Sequence, residues 1–139
     1  MTTLAIVSEG ISFKRGDGAS PEVFALIAEI TDFDGPGGSA TVINASHLQS
    51  IFIDKLMGLP DEGQFSFNAN FVGGDVAQVG LRTDRAAKTL RNFELTLVDS
   101  PPTVVTFAGF VLEWALSAAV DDKVNLAIVI EISGQAAFA

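Results

Sequence analysis

The segment GLPDEGQFSFNANF, residues 58–71, joins a turn directly to an alternating strand and gives the first indication of the fold. Glycine, proline and acidic residues are typical of turns, so we expect residues 58–63 to reverse the chain. In residues 65–71, large apolar side chains alternate with serine and asparagine, and successive side chains of a strand point to opposite faces. One face is therefore apolar and the other polar, as in an antiparallel strand that covers a core on one side.

The same alternation recurs along the chain and predicts an all-β fold. Four further segments are predicted as long strands: residues 22–33, 93–97, 110–117 and 124–133. The side chains expected to share one face of residues 110–117 are Phe110, Leu112, Trp114 and Leu116. Turns are predicted between these strands at Gly16-Asp17-Gly18, Ser100-Pro101-Pro102 and Asp121-Asp122. Residues 34–39 are expected to form a flexible, glycine-rich loop.

One helix is predicted after the aromatic strand. Asp75 is a good N-cap residue, and Gly80 favours an early end near Arg85. The side chains expected to share the face toward the core are Val76, Val79, Thr83, Ala86, Ala87 and Leu90. Four basic residues are expected to form a solvated helix face or a subunit contact: Arg82, Arg85, Lys88 and Arg91. Residues 46–64 are predicted to be a long irregular connection with a short helical turn, and such loops are often functional.

Composition indicates a protein that buries part of its surface against partners. The chain has 139 residues, of which 48% are hydrophobic and 18% charged, against about 25% charged in typical domains. This favours an oligomer, and a monomer with a large core stays the alternative. The net charge of −9 at pH 7 opposes binding to nucleic-acid phosphates. Residues 1–7 lack the pattern of a secretory signal, and polar side chains interrupt residues 104–120, so we expect no membrane span.

The sequence offers little material for catalysis or metal binding. His47 is the only histidine and there is no cysteine, so a nucleophile and its base would depend on one residue. Residues 32–35 begin like a calcium loop, but Ile43 occupies the twelfth position, where a bidentate glutamate is required. The acidic pairs Asp61-Glu62 and Asp121-Asp122 are typical of solvated turns. We therefore expect no catalytic, metal-binding or cofactor-binding residues and no cofactor.

An ordered series of short elements spans nearly the whole chain. The elements are Pro21-Glu22-Val23-Phe24, Thr41-Val42-Ile43-Asn44, Ser46-His47-Leu48, Leu56-Met57-Gly58-Leu59, residues 65–71, Asp75 with Gln78 and Leu81, Asn92-Phe93-Glu94-Leu95, residues 105–111, and Ile130-Glu131-Ile132-Ser133-Gly134. This series resembles the major tail tube proteins of long-tailed, siphovirus-like phages and of related phage-derived particles. The resemblance implies an antiparallel β-sandwich that curls toward a barrel, with one flanking helix, as a single domain over residues 1–139. Because the chain stops shortly after Gly134, we expect no C-terminal immunoglobulin-like domain.

The resemblance also implies self-assembly into hexameric rings that stack into a hollow tail tube, without enzymatic activity. In the family, a long loop reaches the adjacent ring, and it corresponds here to residues 45–64. The residues expected in this inter-ring loop contact are His47, Leu48, Gly58, Leu59, Asp61 and Gly63. The implied partners are further copies of the chain and the tail-tip, tape-measure and terminator proteins, with no membrane partner. The implied location is the virion tail and, during assembly, the host cytoplasm.

In such a tube, DNA passes through the lumen during ejection without specific binding. An acidic or hydroxyl-rich lumen would repel phosphates and keep them hydrated. Candidates for the lumen are polar side chains on strand faces opposite the core: Ser66, Asn68, Asn70, Glu94, Thr96 and Glu113.

Two other functions stay open. A tube component of a contractile injection or type VI-like secretion system would share this architecture but carry a different cargo. A ligand-binding or carbohydrate-binding β-sandwich would need exposed aromatic side chains on a sheet face. This chain has no tyrosine and one tryptophan, and its phenylalanines fall mostly in phase with the core.

Overall fold

The computed structural model describes residues 9–139, which form nine β-strands and one α-helix. In chain order, the elements are β1 (Ser12–Gly16), β2 (Phe24–Leu26), β3 (Ile30–Asp34), β4 (Ser39–Asn44), β5 (Lys55–Asp61), β6 (Gln64–Asn70), α1 (Val76–Ala87), β7 (Arg91–Thr96), β8 (Val104–Ser117) and β9 (Asn125–Phe138). The predicted class, antiparallel β-structure with a single helix, is confirmed. Within residues 9–139, no helix is long and apolar enough to cross a membrane. The prediction for residues 1–7 lies outside the described residues.

Seven strands form one antiparallel sheet in the order β2-β1-β7-β8-β9-β6-β3. The two edge strands, β2 and β3, follow one another in sequence and are separated only by residues 27–29. A single short connection can join both edges only if the sheet curls until the edges approach each other. The Ile27 N–H donates to the Phe13 carbonyl at 3.0 Å and ties this connection to β1. Within residues 9–139, no ladder joins β2 to β3, so the described sheet curls toward a barrel without closing.

Phenylalanines from strands on different parts of the sheet fill the inside of this curl. Phe13 of β1 stacks on Phe65 of β6 and on Phe93 of β7, with centroid distances of 4.5 and 5.6 Å. Phe67 and Phe107 complete the cluster and also lie next to Phe13. All five rings are at most 4% exposed. The alternation predicted for residues 65–71 is confirmed through residue 70, because Phe65, Phe67 and Ala69 are buried and the residues between them are not.

The predicted strand at residues 22–33 is wrong as a single strand. Glu29 adopts a left-handed backbone conformation with φ 55°, and the chain changes direction there. The part before Glu29 forms β2 and pairs with β1, whereas the part after it forms β3 and pairs with β6. The predicted hairpin around Gly16-Asp17-Gly18 is confirmed by the pairing of Gly16 with Phe24.

The shared face predicted for residues 110–117 is also wrong. The register of β8 against β9 shifts between Val111 and Glu113, so Leu112 is an extra residue in a bulge. Before the bulge, Val111 is buried and Phe110 is exposed on the outer face. After it, Trp114 lies against the core. The final strand keeps its predicted phase, since the four alternating apolar side chains from Leu126 to Ile132 are buried.

The helix begins as predicted, but a different face is buried. The Asp75 carboxylate accepts the N–H of Gln78 and caps α1. The helix runs to Ala87 and ends at Lys88, which has φ 57°. The buried side chains are Ala77, Gln78, Leu81 and Asp84, whereas Val76 is 76% exposed. The predicted face is wrong because polar side chains with partners inside the protein replace apolar ones on the buried side.

Candidate assembly interface

A β-hairpin stands apart from the curled sheet and is the most unusual surface of the molecule. Among the strands of residues 9–139, β4 and β5 pair only with each other, in register Val42 with Met57 and Ile43 with Leu56. We call residues 39–61 the arm. The sequence predicted an irregular connection over residues 46–64, and this is wrong for β5, which is a regular strand from Lys55 to Asp61.

The turn predicted at residues 58–63 is wrong, because β5 occupies most of this segment and runs to Asp61. Gly58 and Leu59 together oppose Thr41 in a bulge, because the register shifts between Ala40 and Val42. A Cβ at Gly58 would lie 2.6 Å from the Thr41 hydroxyl oxygen, so glycine permits this close approach. Pro60 is compatible with β5 because the strand pairs on one side only. The chain does not reverse at residues 58–63: Ser39 pairs with Asp61 and Asp34 pairs with Ser66, so β5 leads on into β6 along one antiparallel ribbon. The chain reverses at the tip, in residues 45–54.

Both faces of the arm carry exposed apolar side chains. Val42 and Ile43 are neighbours on β4 and therefore point to opposite faces, and both are at least half exposed. The nine large apolar side chains exposed on the arm are Val42, Ile43, Leu48, Ile51, Phe52, Ile53, Leu56, Met57 and Leu59. An ordinary surface hairpin has one polar face. Large contiguous apolar patches on a protein surface mark interaction sites.

Hydrogen bonds rather than apolar packing hold the tip of the arm. The Asp54 N–H donates to the Ser46 hydroxyl at 2.9 Å, and the Ser50 hydroxyl donates to the Asp54 carboxylate at 2.7 Å. The Ala45 N–H donates to the Asp54 carbonyl at 2.8 Å. Residues 47–50 form a single turn, in which the Ser50 N–H donates to the His47 carbonyl at 2.9 Å, and the turn does not continue into a helix. The tip keeps its shape while Leu48, at its end, is fully exposed.

The root of the arm is anchored to the main sheet. Gly63 has φ +78°, and its carbonyl accepts the Ile132 N–H of β9 at 3.1 Å. The Glu62 carboxylate accepts the Ala136 N–H at 3.1 Å. Gly37 bridges to Gly63 in parallel, so the glycine-rich loop predicted at residues 34–39 lies against the root. The arm is therefore fixed at one end of β6.

The residues predicted for the inter-ring contact fall into two groups in the structure. Leu48 and Leu59 are 105% and 92% exposed, and His47 lies beside Leu48 at the tip. Gly58, Asp61 and Gly63 instead shape the arm and its root, since the Asp61 carboxylate accepts the Gly63 N–H at 2.9 Å. Sequence reasoning missed Ile51, Phe52 and Ile53, although three consecutive large apolar residues inside a predicted loop were an available signal.

All six residues predicted for the lumen lie on the outer face of the curled sheet, but on three strands. Ser66, Asn68 and Asn70 are on β6, Glu94 and Thr96 on β7, and Glu113 on β8. Ser66 and Glu113 lie in one cross-strand row, because both pair with Val129 of β9. Whether this face lines a lumen stays a prediction.

Two acidic residues that the sequence did not single out join this face. The Asn68 amide donates to the Asp32 carboxylate at 2.7 Å, and the Asn70 amide donates to the Glu29 carboxylate at 3.3 Å. Glu94 pairs in register with Lys14 of β1, so this acid has a basic neighbour. The place of Asp32 and Glu29 on this face was missed because both were predicted to lie in one continuous strand.

The four basic residues predicted to form one cluster on the helix have different surroundings. Arg91 lies on β7, and its guanidinium contacts the buried Asp84 carboxylate at 3.0 Å. Arg15 of β1 contacts the same carboxylate at 2.6 Å. Arg85 donates to the Leu112 carbonyl at 2.9 Å, and Arg82 lies over the Trp114 ring at 5.5 Å from its centroid. Arg82, Arg85 and Lys88 are nevertheless exposed, as expected for a solvated face. The prediction is wrong for Arg91, which lies on β7 and is held by Asp84.

The turn between β1 and β2 is linked to this ion-pair cluster. Arg91 also donates to the Asp17 carbonyl at 2.7 Å. Hydrogen bonds from the backbone N–H groups of Ala19 and Val23 to the Asp17 carboxylate lower its pKa below the ordinary value. The turn is thus fixed in place by a charged network.

Within residues 9–139, no group of three or more histidine, cysteine or acidic side chains could hold a metal ion. His47 lies 4.0 Å from the Asp54 carboxylate at the exposed tip of the arm.

No protein-family model matches the sequence, and no curated protein matches it significantly. Solved structures do match. The chain is similar to a chain of the tail of an empty gene transfer agent (GTA) particle, refined with C6 symmetry, with a TM-score of 0.76 and 13% identity over 97% of this chain and 99% of that one. This chain has the tail-tube fold. The SPP1 tail tube is similar at a TM-score of 0.71 and 10% identity, over 96% of this chain and 78% of that one. A chain of the sheath-tube complex of PVC, an extracellular contractile injection system, is similar at a TM-score of 0.73 and 10% identity, over 99% of this chain and 93% of that one.

The tail-tube fold includes the arm. The likeness to the GTA tail covers 97% of this chain, which leaves too few residues for the 39–61 segment to lie outside the aligned region. The curled sheet, the flanking helix and the projecting hairpin are therefore parts of one shared architecture.

Proposed function

We propose that this chain is a structural protein that assembles with copies of itself into stacked hexameric rings, which form the hollow tail tube of a phage or phage-derived particle. The observation that carries this proposal is the arm, whose two faces are both apolar and exposed in a chain with the tail-tube fold. The C6 symmetry of the similar GTA tail supports six copies per ring.

The exposed area of the arm suits a stable contact. Burying one large aliphatic side chain is worth about 1.5–3 kcal/mol at ~25 cal/mol per Å², which corresponds to roughly 60–120 Å². The nine side chains of the arm are on average about three quarters exposed, so they offer on the order of 400–800 Å², and a standard interface buries about 800 Å² per partner. The arm alone can supply most of one side of an interface.

Within the arm, the predicted inter-ring residues have separate roles. Leu48 and Leu59 provide apolar area to the neighbouring copy, with His47 beside them at the tip. Gly58 permits the bulge that keeps β5 in register, and Asp61 and Gly63 set the direction in which the arm leaves the sheet. Substitutions in the first group should weaken assembly directly, and those in the second should misdirect the arm.

The proposed lumen consists of outer-face positions, with Ser66, Asn68, Asn70, Glu94, Thr96 and Glu113 as candidates. DNA would pass this surface during ejection without being held, because the chain carries a net charge of −9 and six copies multiply it. Asp32 joins the candidates through its hydrogen bond with Asn68. This role needs no catalytic residue and no cofactor.

Other tail proteins would complete the particle. Terminator, tape-measure and tail-tip proteins are the proposed partners, the virion tail is the proposed location, and assembly would take place in the host cytoplasm. The likeness to the PVC sheath-tube complex favours a second candidate, the inner tube of a contractile injection system. The two candidates share the ring and differ in cargo and in the presence of a surrounding sheath.

Light scattering on the purified protein over a concentration series tests the proposal. We expect the mean mass to rise with concentration, through a six-copy species, to large polymers. A control sample should contain the variant Phe52→Ser with Leu59→Ser, which keeps the fold but removes apolar area from the arm. If the wild-type protein stays monomeric at every concentration and also after addition of tail-tip components, the tube proposal is wrong.

A further inference from the structure

The end of the molecule opposite the arm carries a second exposed apolar surface. We call Val76, Leu116, Val120 and Val124 the distal patch; these side chains are 76%, 50%, 93% and 42% exposed. Val120 and Val124 lie on the connection between β8 and β9, Leu116 is near the end of β8, and Val76 is the first residue of α1.

Strand register brings these four residues to one end of the sheet. Asn70, Asn125 and Ser117 are paired across β6, β9 and β8. The Phe71 N–H donates to the Val124 carbonyl at 3.0 Å, so the segment that leads into the helix continues beside the start of β9. The helix N-terminus and the β8–β9 connection are therefore neighbours at this end.

The arm leaves from the other end of the same strands. Its root adjoins Gln64, the first residue of β6, which pairs with Glu131 of β9. β6 contains seven residues from Gln64 to Asn70, so at ~3.3 Å per residue the root and the distal patch are separated by about 20 Å along the strand direction. One chain thus exposes two apolar surfaces at opposite ends of its sheet.

We propose that the arm of one copy docks on the distal patch of the next copy. This inference rests on the proposed tube function and names the receiving surface. Two different surfaces at opposite ends of one chain form a head-to-tail contact, which leaves one free surface of each kind after every addition and therefore propagates. A contact of the arm with the same arm on another copy would bury the apolar area in a closed pair and leave the distal patch uncovered.

Charges of both signs border each surface. The exposed side chains of the distal patch are aliphatic, as are most of those on the arm. Asp54 and Lys55 lie near the arm tip, and the charged neighbours of the patch are Asp75, Asp121, Asp122 and Lys123. Each surface therefore offers a lysine to acidic side chains of the other while the apolar areas meet.

The absence of cysteine from the whole sequence permits a direct test by crosslinking. The double variant Leu48→Cys with Val120→Cys places one thiol at the arm tip and one in the distal patch, both at strongly exposed positions. Under assembly conditions, a short-spacer bismaleimide should convert it to a ladder of dimers, trimers and longer chains. A mixture of the two single variants should stop at dimers, because each copy then carries one thiol.

The matched control is Leu48→Cys with Ser100→Cys. Ser100 is exposed, but it lies in the loop between β7 and β8, at the arm-root end of the sheet. Contact between arm and patch gives thiols a local concentration in the millimolar range, so the Val120 variant should crosslink at least tenfold faster than this control. Equal rates, or a faster Ser100 variant, overturn the inference.

Electron microscopy of the same samples separates this inference from the proposed function. Tubes without a Val120 ladder mean that the tube function stands and the docking site is wrong. A ladder without rings or tubes means that the head-to-tail contact stands and the tube function is wrong. If neither the ladder nor tubes form, the docking site and the tube function are both wrong.

Discussion

Phe13 and Phe65 stack with ring centroids 4.5 Å apart, although β7, β8 and β9 separate their two strands in the sheet. In a flat sheet, two strands four positions apart would be about 19 Å from each other. The contact therefore exists only because the sheet curls, and it joins the two halves of the curl through the core. Phe13 also lies next to Phe67, Phe93 and Phe107, so it is at the centre of the aromatic cluster.

Replacing Phe13 should cost a large part of the stability of the fold. Phe13→Ala removes a ring that is 2% exposed, and such substitutions cost about 3–5 kcal/mol because a cavity remains. Urea unfolding followed by tryptophan fluorescence measures the loss. The control is Phe52→Ala on the arm, which is 85% exposed and should change the free energy of unfolding by less than about 0.5 kcal/mol. Equal losses in the two variants would contradict the assignment of the core.

Asp84 should be the most sensitive acidic residue for folding. Its side chain is 1% exposed and contacts both Arg15 and Arg91. Asp84→Asn leaves two arginines partly buried without their counter-charge, which should cost about 3–5 kcal/mol. Urea unfolding at neutral pH measures this loss, with the exposed Asp122→Asn as the matched control. A loss below about 1 kcal/mol would mean that the arginines find other partners.

Helix α1, which contains Asp84, shows why part of the fold could not be predicted from the sequence. Hydrophobic periodicity placed Val76 on the buried face of the helix, whereas Gln78 and Asp84 are buried there. Gln78 donates to the Asn70 carbonyl, eight residues before it, and to the Ala28 carbonyl, fifty residues before it. No local pattern records partners so far away in the chain. The capping residue Asp75 was predicted correctly because capping depends only on its neighbours.

The candidate site, like the fold, could be predicted only in part from the sequence. Alternation predicted the aromatic strand and the class of fold, and the resemblance to tail tube proteins implied a projecting segment at residues 45–64. They missed that β5 is a strand, because Gly58 and Pro60 disfavour strands in isolation. Pairing with β4 through a bulge overrides that preference. The break at Glu29 was missed for the same reason, since pairing with two opposite edges of the sheet is a property of the whole fold.

The loop between β7 and β8 should lose stability in acid. Hydrogen bonds from the Thr103 hydroxyl and backbone N–H lower the pKa of Asp99 below its ordinary value of 3.8. A lowered pKa in the folded state means that the Asp99 carboxylate stabilises the protein above the unfolded pKa, and that this contribution is lost as pH falls through the folded pKa. Asp99→Asn should therefore destabilise the protein at pH 6, and the difference from wild type should shrink toward pH 3. Chemical unfolding of both proteins between these pH values measures it, and a difference that grows in acid would contradict the sign.

Apolar residues of the arm should matter for assembly and not for folding. Phe52→Ser and Leu59→Ser remove exposed apolar area, so the free energy of unfolding of the monomer should change by less than about 0.5 kcal/mol. The concentration needed for polymer formation should rise at least tenfold, which corresponds to about 1.4 kcal/mol of lost contact energy. Gln49→Ser in the same loop is the matched control. Light scattering gives the threshold, and an unchanged threshold in the apolar variants would show that the arm is not the contact.

Charge on the outer face should control retention of DNA. Glu113→Lys exchanges an exposed acid for a base without touching the arm or the core. Assembled tubes of this variant should keep their shape but retain linear DNA in a sedimentation assay at low salt, and retention should decrease as salt is added. Wild-type tubes and tubes of the control Glu113→Gln should release the DNA. Identical release by all three would contradict the assignment of Glu113 to the lumen.

Negative-stain electron microscopy of the purified protein tests the central claim most directly. The account predicts six-fold rings and hollow tubes that appear as concentration rises, and their absence in the variant Phe52→Ser with Leu59→Ser. Single particles of monomer size at every concentration, with and without tail-tip components, would contradict it.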